Sequence, residues 1–207
     1  SSAPIYVADD FKAPTISASY ALTVGNDAQA VAFAVSAADP LGIAVGVTGD
    51  AGTGIAADGL TLAGPLVFTP SAERVFRARV KVSAITSVYL FLGFTDVLPS
   101  TTLEEPISLS GTTFTSNATD ACGLLFDTAA TTDTIRGVGV ATDVDGTAVD
   151  TALAWVADTY KDVKIVVTTA GVMKAYLDGV LVATVANAVT TSAPLCPIIV
   201  ADARTTS

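Results

Sequence analysis

Strict alternation of apolar and polar positions is clearest near the C-terminal end of the chain. In residues 162–168, Val163, Ile165 and Val167 point one way and Lys164 and Thr168 the other. That period of two marks a strand with one buried face. Gly171 follows in a short turn, residues 172–177 form a second strand, and Asp178-Gly179 fits a two-residue type I′ hairpin into a third strand at residues 180–185. The chain therefore carries a three-stranded antiparallel meander. The same alternation appears at residues 75–82, where Phe76, Ala78, Val80 and Val82 face inward and Arg77, Arg79 and Lys81 face outward.

Other segments are apolar without alternation. Residues 87–94 (SVYLFLGF) and 121–127 (ACGLLFD) read as strands covered on both faces, the first either central in a sheet or lying under an oligomer contact. Shorter strands are expected at residues 16–24, 30–36, 41–47, 60–62, 66–68, 134–140 and 195–201. Turn residues separate them, including Asp39-Pro40 and the glycine-rich run from Gly49 to Gly54. Residues 96–110 read as a polar loop with Glu104-Glu105 in solvent, and residues 204–207 as a polar tail. No segment reads as a helix. About a dozen short strands without an internal repeat predict an all-β protein, a two-sheet antiparallel sandwich of the jelly-roll kind. The expected organisation is an N-terminal arm at residues 1–15 and a single sandwich domain at 16–207.

Composition agrees with this pattern. Hydrophobic residues make up 51% of the 207, and β-branched Val and Thr outweigh the helix-forming Leu, Glu and Lys. No apolar run approaches the roughly 20 residues needed to span a bilayer. No signal peptide is recognisable, and Ser1 is small enough to follow a removed initiator Met. The formal net charge is −10, which would repel a phosphate backbone and argues against nucleic-acid binding.

The absence of His removes Ser-His and Cys-His catalysis and His-ligated zinc. Cys122 and Cys196 read as two buried free thiols, with a disulfide as the alternative. The run from Gly49 to Gly54 lacks the Lys-Ser/Thr and helix of a phosphate loop. Asp143-Val144-Asp145-Gly146 reads as a turn between strands, with an irregular Ca²⁺ site on Asp143 and Asp145 as the alternative, because Gly and Glu do not fall where an EF-hand needs them. Asn117-Ala118-Thr119 matches a glycosylation sequon. No cofactor is implied.

The segment from Val75 onward resembles the concanavalin A-like lectin/glucanase jelly roll, in the version found in virion proteins of tailed bacteriophages. The matching residues are VFRARVKVS at 75–83, YLFLGFTD at 89–96, GLLFD at 123–127 and the late YKDVKIVV and AYLDGVLVATVANAVTTSAPLCPIIV segments. Glucanases of this fold carry E-x-D-x-E or E-x-D-x-x-E on one strand, with carboxyl groups about 5 Å apart in retaining enzymes. Glu73, Glu104 and Glu105 are the only glutamates and none lies in such a pattern, so the expectation is a protein that is not an enzyme.

The resemblance implies a structural virion protein, a decoration or cement protein on the outside of a tailed-phage capsid, assembled in the host cytoplasm. Its partners would be the major capsid protein and copies of itself, with a homotrimer at threefold lattice positions. Tyr6 and Phe11 of the arm, the stripe Arg77, Arg79 and Lys81, and residues 87–94 are the expected contacts. The alternative is a lectin-like carbohydrate-binding module, virion-borne for host attachment. It predicts that Trp155 or Tyr160 offers an exposed ring to surface glycans near Asp143 and Asp145.

Overall fold

The structure is a computed structural model that describes residues 15–37, 43–49, 54–98 and 103–204. Among the described residues sixteen strands follow one another: β1 (Ala21–Val24), β2 (Val31–Val35), β3 (Ala44–Val47), β4 (Leu60–Ala63), β5 (Arg74–Val80), β6 (Val88–Thr95), β7 (Ile107–Ser110), β8 (Thr113–Ser116), β9 (Ala121–Asp127), β10 (Arg136–Ala141), β11 (Val144–Asp145), β12 (Val149–Asp150), β13 (Lys161–Val167), β14 (Met173–Leu177), β15 (Val180–Val185) and β16 (Cys196–Ala203). They exceed the dozen expected because several are only two to four residues long. The alternation of residues 16–24 yields a strand only from Ala21. Before it, the Ser19 N–H bonds the Ser17 hydroxyl and the Tyr20 N–H bonds the Ser17 carbonyl, local bonds that compete with a ladder.

Two sheets make the sandwich. The larger runs β1-β4-β16-β6-β9-β10-β11, with β12 also paired to β10, and the smaller runs β15-β14-β13-β5. All pairings within them are antiparallel. The smaller sheet is the predicted meander with residues 74–80 added at its edge. Asp178 (φ 50°) and Gly179 (φ 82°) form the tight turn that the sequence announced.

Alternation decides what fills the space between the sheets. Leu90, Leu92, Phe94, Leu124 and Phe126 from the large sheet meet Phe76, Val163, Ile165, Val167, Met173 and Ala175 from the small one. Phe76 and Phe94 touch edge to face at 6.2 Å. The opposite residues of the same central strands, Tyr89, Phe91 and Leu125, join Val138, Val140 and Val200 in a second core on the far side. Ile107 and Leu109 of the β7–β8 hairpin belong to this second core. Strand β6 is therefore central and covered twice by its own chain, and of the residues 87–94 expected in a capsid or self contact, 89–94 are buried within the chain itself while Ser87 and Val88 are half-buried. Gly93 and Gly123 lie directly opposite each other between β6 and β9. A Cβ on Gly93 would collide with the Cys122 carbonyl, so this close approach requires glycine.

Three further expectations change. Ile55–Asp58 form one helical turn, closed by the Ala57 and Asp58 N–H groups on the Gly54 carbonyl. Two alanines are too short a signal for a periodicity to reveal. Residues 66–68 give only an isolated bridge from Phe68 to Leu195. The expected polar loop at 96–110 ends in β7, whose Ile107 is fully buried. Cys122 and Cys196 are free and buried. Strand β6 lies between their strands, which separates them by about two strand spacings, roughly 10 Å, beyond the Cα reach of a disulfide at about 7 Å. Burial pushes the Cys122 thiol well up and the Cys196 thiol up to about 12, so neither is a reactive thiolate.

Candidate functional site

The outer face of the small sheet is where the structure gathers exposed polar chemistry. Because Phe76, Val163, Ile165 and Ala175 point into the core, Arg77, Arg79, Asp162, Lys164, Lys174 and Tyr176 point away from it. The register sets Arg77 opposite Lys164, and Lys164 opposite Tyr176. Arg79 stands opposite Asp162. An open groove of about 490 Å³ runs here, lined by Arg77, Arg79, Asp162, Lys164 and Gly179 among others.

Aromatic rings hold three of the cations. The Arg79 guanidinium lies 4.9 Å and the Lys81 ammonium 5.5 Å from the Tyr160 ring centre, and the Lys164 ammonium 4.9 Å from that of Tyr176. Such contacts restrain flexible side chains without neutralising them. The ion pairs on this face are long: Arg79–Asp162 at 3.8 Å, with side chains 68% and 70% exposed, and Lys81–Asp158 at 3.8 Å. At the hairpin, the Asp178 carboxylate accepts from the Asp162 N–H and from Lys161, both at 3.0 Å. The backbone bond first, then the lysine, holds Asp178 below the usual carboxylate range.

A second cluster lies on the opposite side of the large sheet and is buried. Asp202, Tyr89 and Asp127 form one row across β16, β6 and β9. Arg204, just past β16, donates from Nε and Nη2 to the two oxygens of Asp127, at 2.9 and 2.8 Å. It grips Glu105 with Nη1 and Nη2, and its Nη1 lies 3.5 Å from Asp202. Its guanidinium also stacks 4.7 Å from the Tyr89 ring. Tyr89 donates to the Ile107 carbonyl at 2.7 Å, and Asp127 accepts the Leu109 N–H at 3.1 Å. These bonds fasten the β7–β8 hairpin to the large sheet.

One guanidinium cannot neutralise three carboxylates. Burial, then the Glu105 charge, pushes Asp202 up to about 7. Burial alone would lower Arg204, but its bonds to Asp127 and Glu105 outweigh that and raise it, and burial raises Tyr89 well above the usual tyrosine value. A shallow cavity of about 280 Å³, lined by Gly54, Ser108, Ser110 and Arg204 among others, opens beside the cluster. Glu105 and Arg204, expected in a solvated loop and a polar tail, are thus partners in a buried network.

The sequence-predicted site residues do not converge. Trp155 is 1% exposed and packs in the main core, so it offers no ring to a glycan. An apolar stretch at this position buried the indole rather than displaying it. Tyr160 is 38% exposed, but its neighbours are Arg79 and Lys81 and not the paired aspartates. Asp143 lies in the two-residue β10–β11 turn with Thr142, at φ 60° and 53°. Its N–H bonds the Thr119 carbonyl, and Asp145 accepts from the Ser116 hydroxyl at 2.6 Å. Among the described residues no group of three His, Cys, Asp or Glu side chains is placed to hold a metal ion. Arg77, Arg79 and Lys81 are exposed as expected, while Tyr6 and Phe11 lie outside the described residues. Lys164, Tyr176 and Asp162 were missed as site residues, although period-two alternation already placed Lys164 on the outer face.

No protein-family model and no curated protein matches the sequence. Among solved structures the fold is similar to a sialidase, with a TM-score of 0.54 and 12% identity over 93% of this chain. The chain spans only 14% of that sialidase. It is similar to the same degree, TM-score 0.54 at 11% identity, to a native glycosidic hydrolase, over 95% of this chain and 83% of the other. A looser likeness, TM-score 0.45 at 9% identity, covers 92% of both this chain and carbohydrate binding module CBM66 from Bacillus subtilis. At these identities the likeness establishes the β-sandwich and does not reach individual residues. It gives no link to a virion.

Proposed function

We propose that the chain is a carbohydrate-binding module, without hydrolytic activity, that takes its ligand on the outer face of the small sheet. The observation that carries this reading is the open groove along β5 and β13, where Arg77, Arg79 and Lys164 supply donors beside the acceptor Asp162. Sugar hydroxyls are both donors and acceptors, and a sheet face presenting both in fixed register suits them. The absence of hydrolysis is supported by the carboxylates themselves. Glu105 and Asp127 are tied to Arg204, and Asp162 stands among cations rather than across a groove from a second acid.

Among the described residues, the capsid-decoration and homotrimer roles implied by the phage resemblance have the exposed cation stripe in their favour, while the arm contacts Tyr6 and Phe11 lie outside those residues. The test is a polysaccharide panel probed by affinity electrophoresis with the whole chain and with Arg77→Ala, which removes a donor from the groove. Retardation by at least one polysaccharide, weakened by the substitution, supports the module; migration unchanged by every polysaccharide overturns it.

A further inference from the structure

The small sheet's outer face carries a charge opposite to that of the molecule. The chain has ten cationic residues, nine of them among the described residues. Five of those nine, Arg77, Arg79, Lys81, Lys164 and Lys174, belong to this face, on a protein of net charge −10. Asp162 and Asp158 offset part of that charge, through contacts of 3.8 Å. Asp178 is already engaged by Lys161.

Folding does not explain the arrangement. Arg77 and Lys164 face each other directly across the ladder, and like charges directly opposite are destabilising. Arg77 makes no ion pair among the described residues, although acids outnumber cations two to one in the sequence. Lys164 is braced by Tyr176 and Arg79 by Tyr160, so their charged ends are held in place before any ligand arrives. Pre-positioned cations that repel each other are what an anion site requires.

We propose that this groove selects an acidic polysaccharide, its carboxylate or sulfate groups held by Arg77, Arg79 and Lys164, with Lys81 adding charge from beside the Tyr160 ring. The proposal rests on the carbohydrate-binding reading and narrows its ligand. The tyrosines act as props for the cations rather than as stacking platforms, since a cation already covers each ring. Arg77 and Arg79 alternate along β5 about 7 Å apart, which suits charges repeating along a polymer. A duplex nucleic acid fits less well, because its continuous charge would meet Asp158, Asp162 and the negative remainder of the molecule.

The experiment titrates the whole chain with sodium polygalacturonate, dextran sulfate, uncharged dextran and double-stranded DNA at 50 and 300 mM salt. The expected result is binding to polygalacturonate or dextran sulfate, falling at least tenfold at the higher salt, with dextran inert. The preferred acidic polymer shows whether carboxylate or sulfate is the recognised group. Arg77→Gln with Lys164→Gln should lower affinity at least tenfold while the melting temperature holds or rises. Binding to dextran that ignores salt and these substitutions overturns the anionic ligand while leaving the carbohydrate module standing. DNA bound as tightly as the acidic polysaccharides overturns the ligand class. Failure to bind any polysaccharide overturns both.

Discussion

Two regions of this protein bring arginine and carboxylates together with opposite results. On the outer face of the small sheet, Arg79 and Asp162 stand 3.8 Å apart in solvent. On the far side of the large sheet, Arg204 forms paired bonds to both Asp127 and Glu105 with 17% of its side chain exposed. Water screens the first pair, so its members stay available to a ligand and contribute little to folding. The second set lies largely out of water beside the β7–β8 hairpin, so its charges must satisfy one another. The residue types are the same; burial decides which set stays open to solvent and which is a fastening.

Breaking the fastening should have the largest effect. Arg204→Met leaves three buried carboxylates without their cation, and chemical denaturation should show a loss of about 3–5 kcal/mol. Adding Glu105→Gln and Asp127→Asn should recover part of it. A loss under about 1 kcal/mol, the range of surface pairs, would place both regions in one class.

The next effect is on pH dependence. Asp202 titrates near 7 in the folded protein against an ordinary value of 3.8, so the folded state keeps a proton that the unfolded chain releases. The stability from this group is fully present below about pH 4 and lost as pH rises through 7, by a few kcal/mol at most. Asp202→Asn should flatten that slope in denaturation curves taken from pH 4 to 8. An unchanged slope would mean that the cluster is not what titrates. The exposed Asp178, held low by its backbone and lysine contacts, works in the opposite sense and mainly below pH 4.

Substitutions on the open face should be smaller and should separate binding from stability. Lys164→Gln removes the repulsion with Arg77 and should raise stability by about 0.2–1 kcal/mol while weakening retention on an acidic polysaccharide. The smallest effect belongs to the Arg79–Asp162 pair, where a double-mutant cycle should give a coupling below about 1 kcal/mol. A coupling of several kcal/mol there would erase the distinction between the regions.

Much of the small sheet was legible in the sequence, since Val163, Ile165 and Val167 alternate with polar residues and Asp178-Gly179 turns the chain. The uninterrupted apolar runs around Phe91 and Leu124 likewise predicted central strands. The buried cluster was not legible because Glu105 and Arg204 lie 99 residues apart, and each was read from its polar neighbours. One signal was present. Asp127 ends an otherwise apolar buried strand, and a carboxylate there needs a buried cation, of which the chain has few. Trp155 misled because exposure, not residue type, makes a sugar platform. The cationic face was half legible: Arg77, Arg79 and Lys81 stood out in line along one strand, whereas pairing Arg77 with Lys164 required the register between β5 and β13.

The most direct test of the division between the two regions is to map a ligand onto the chain. Backbone amide chemical shifts should be followed during titration with short oligogalacturonates. Shifts should concentrate at Arg77, Arg79, Asp162, Lys164 and Tyr176, with Ser108, Asp127 and Arg204 unmoved. Shifts gathered instead around Glu105, Ser108 and Arg204 would make the buried cluster the site and the outer face a bystander.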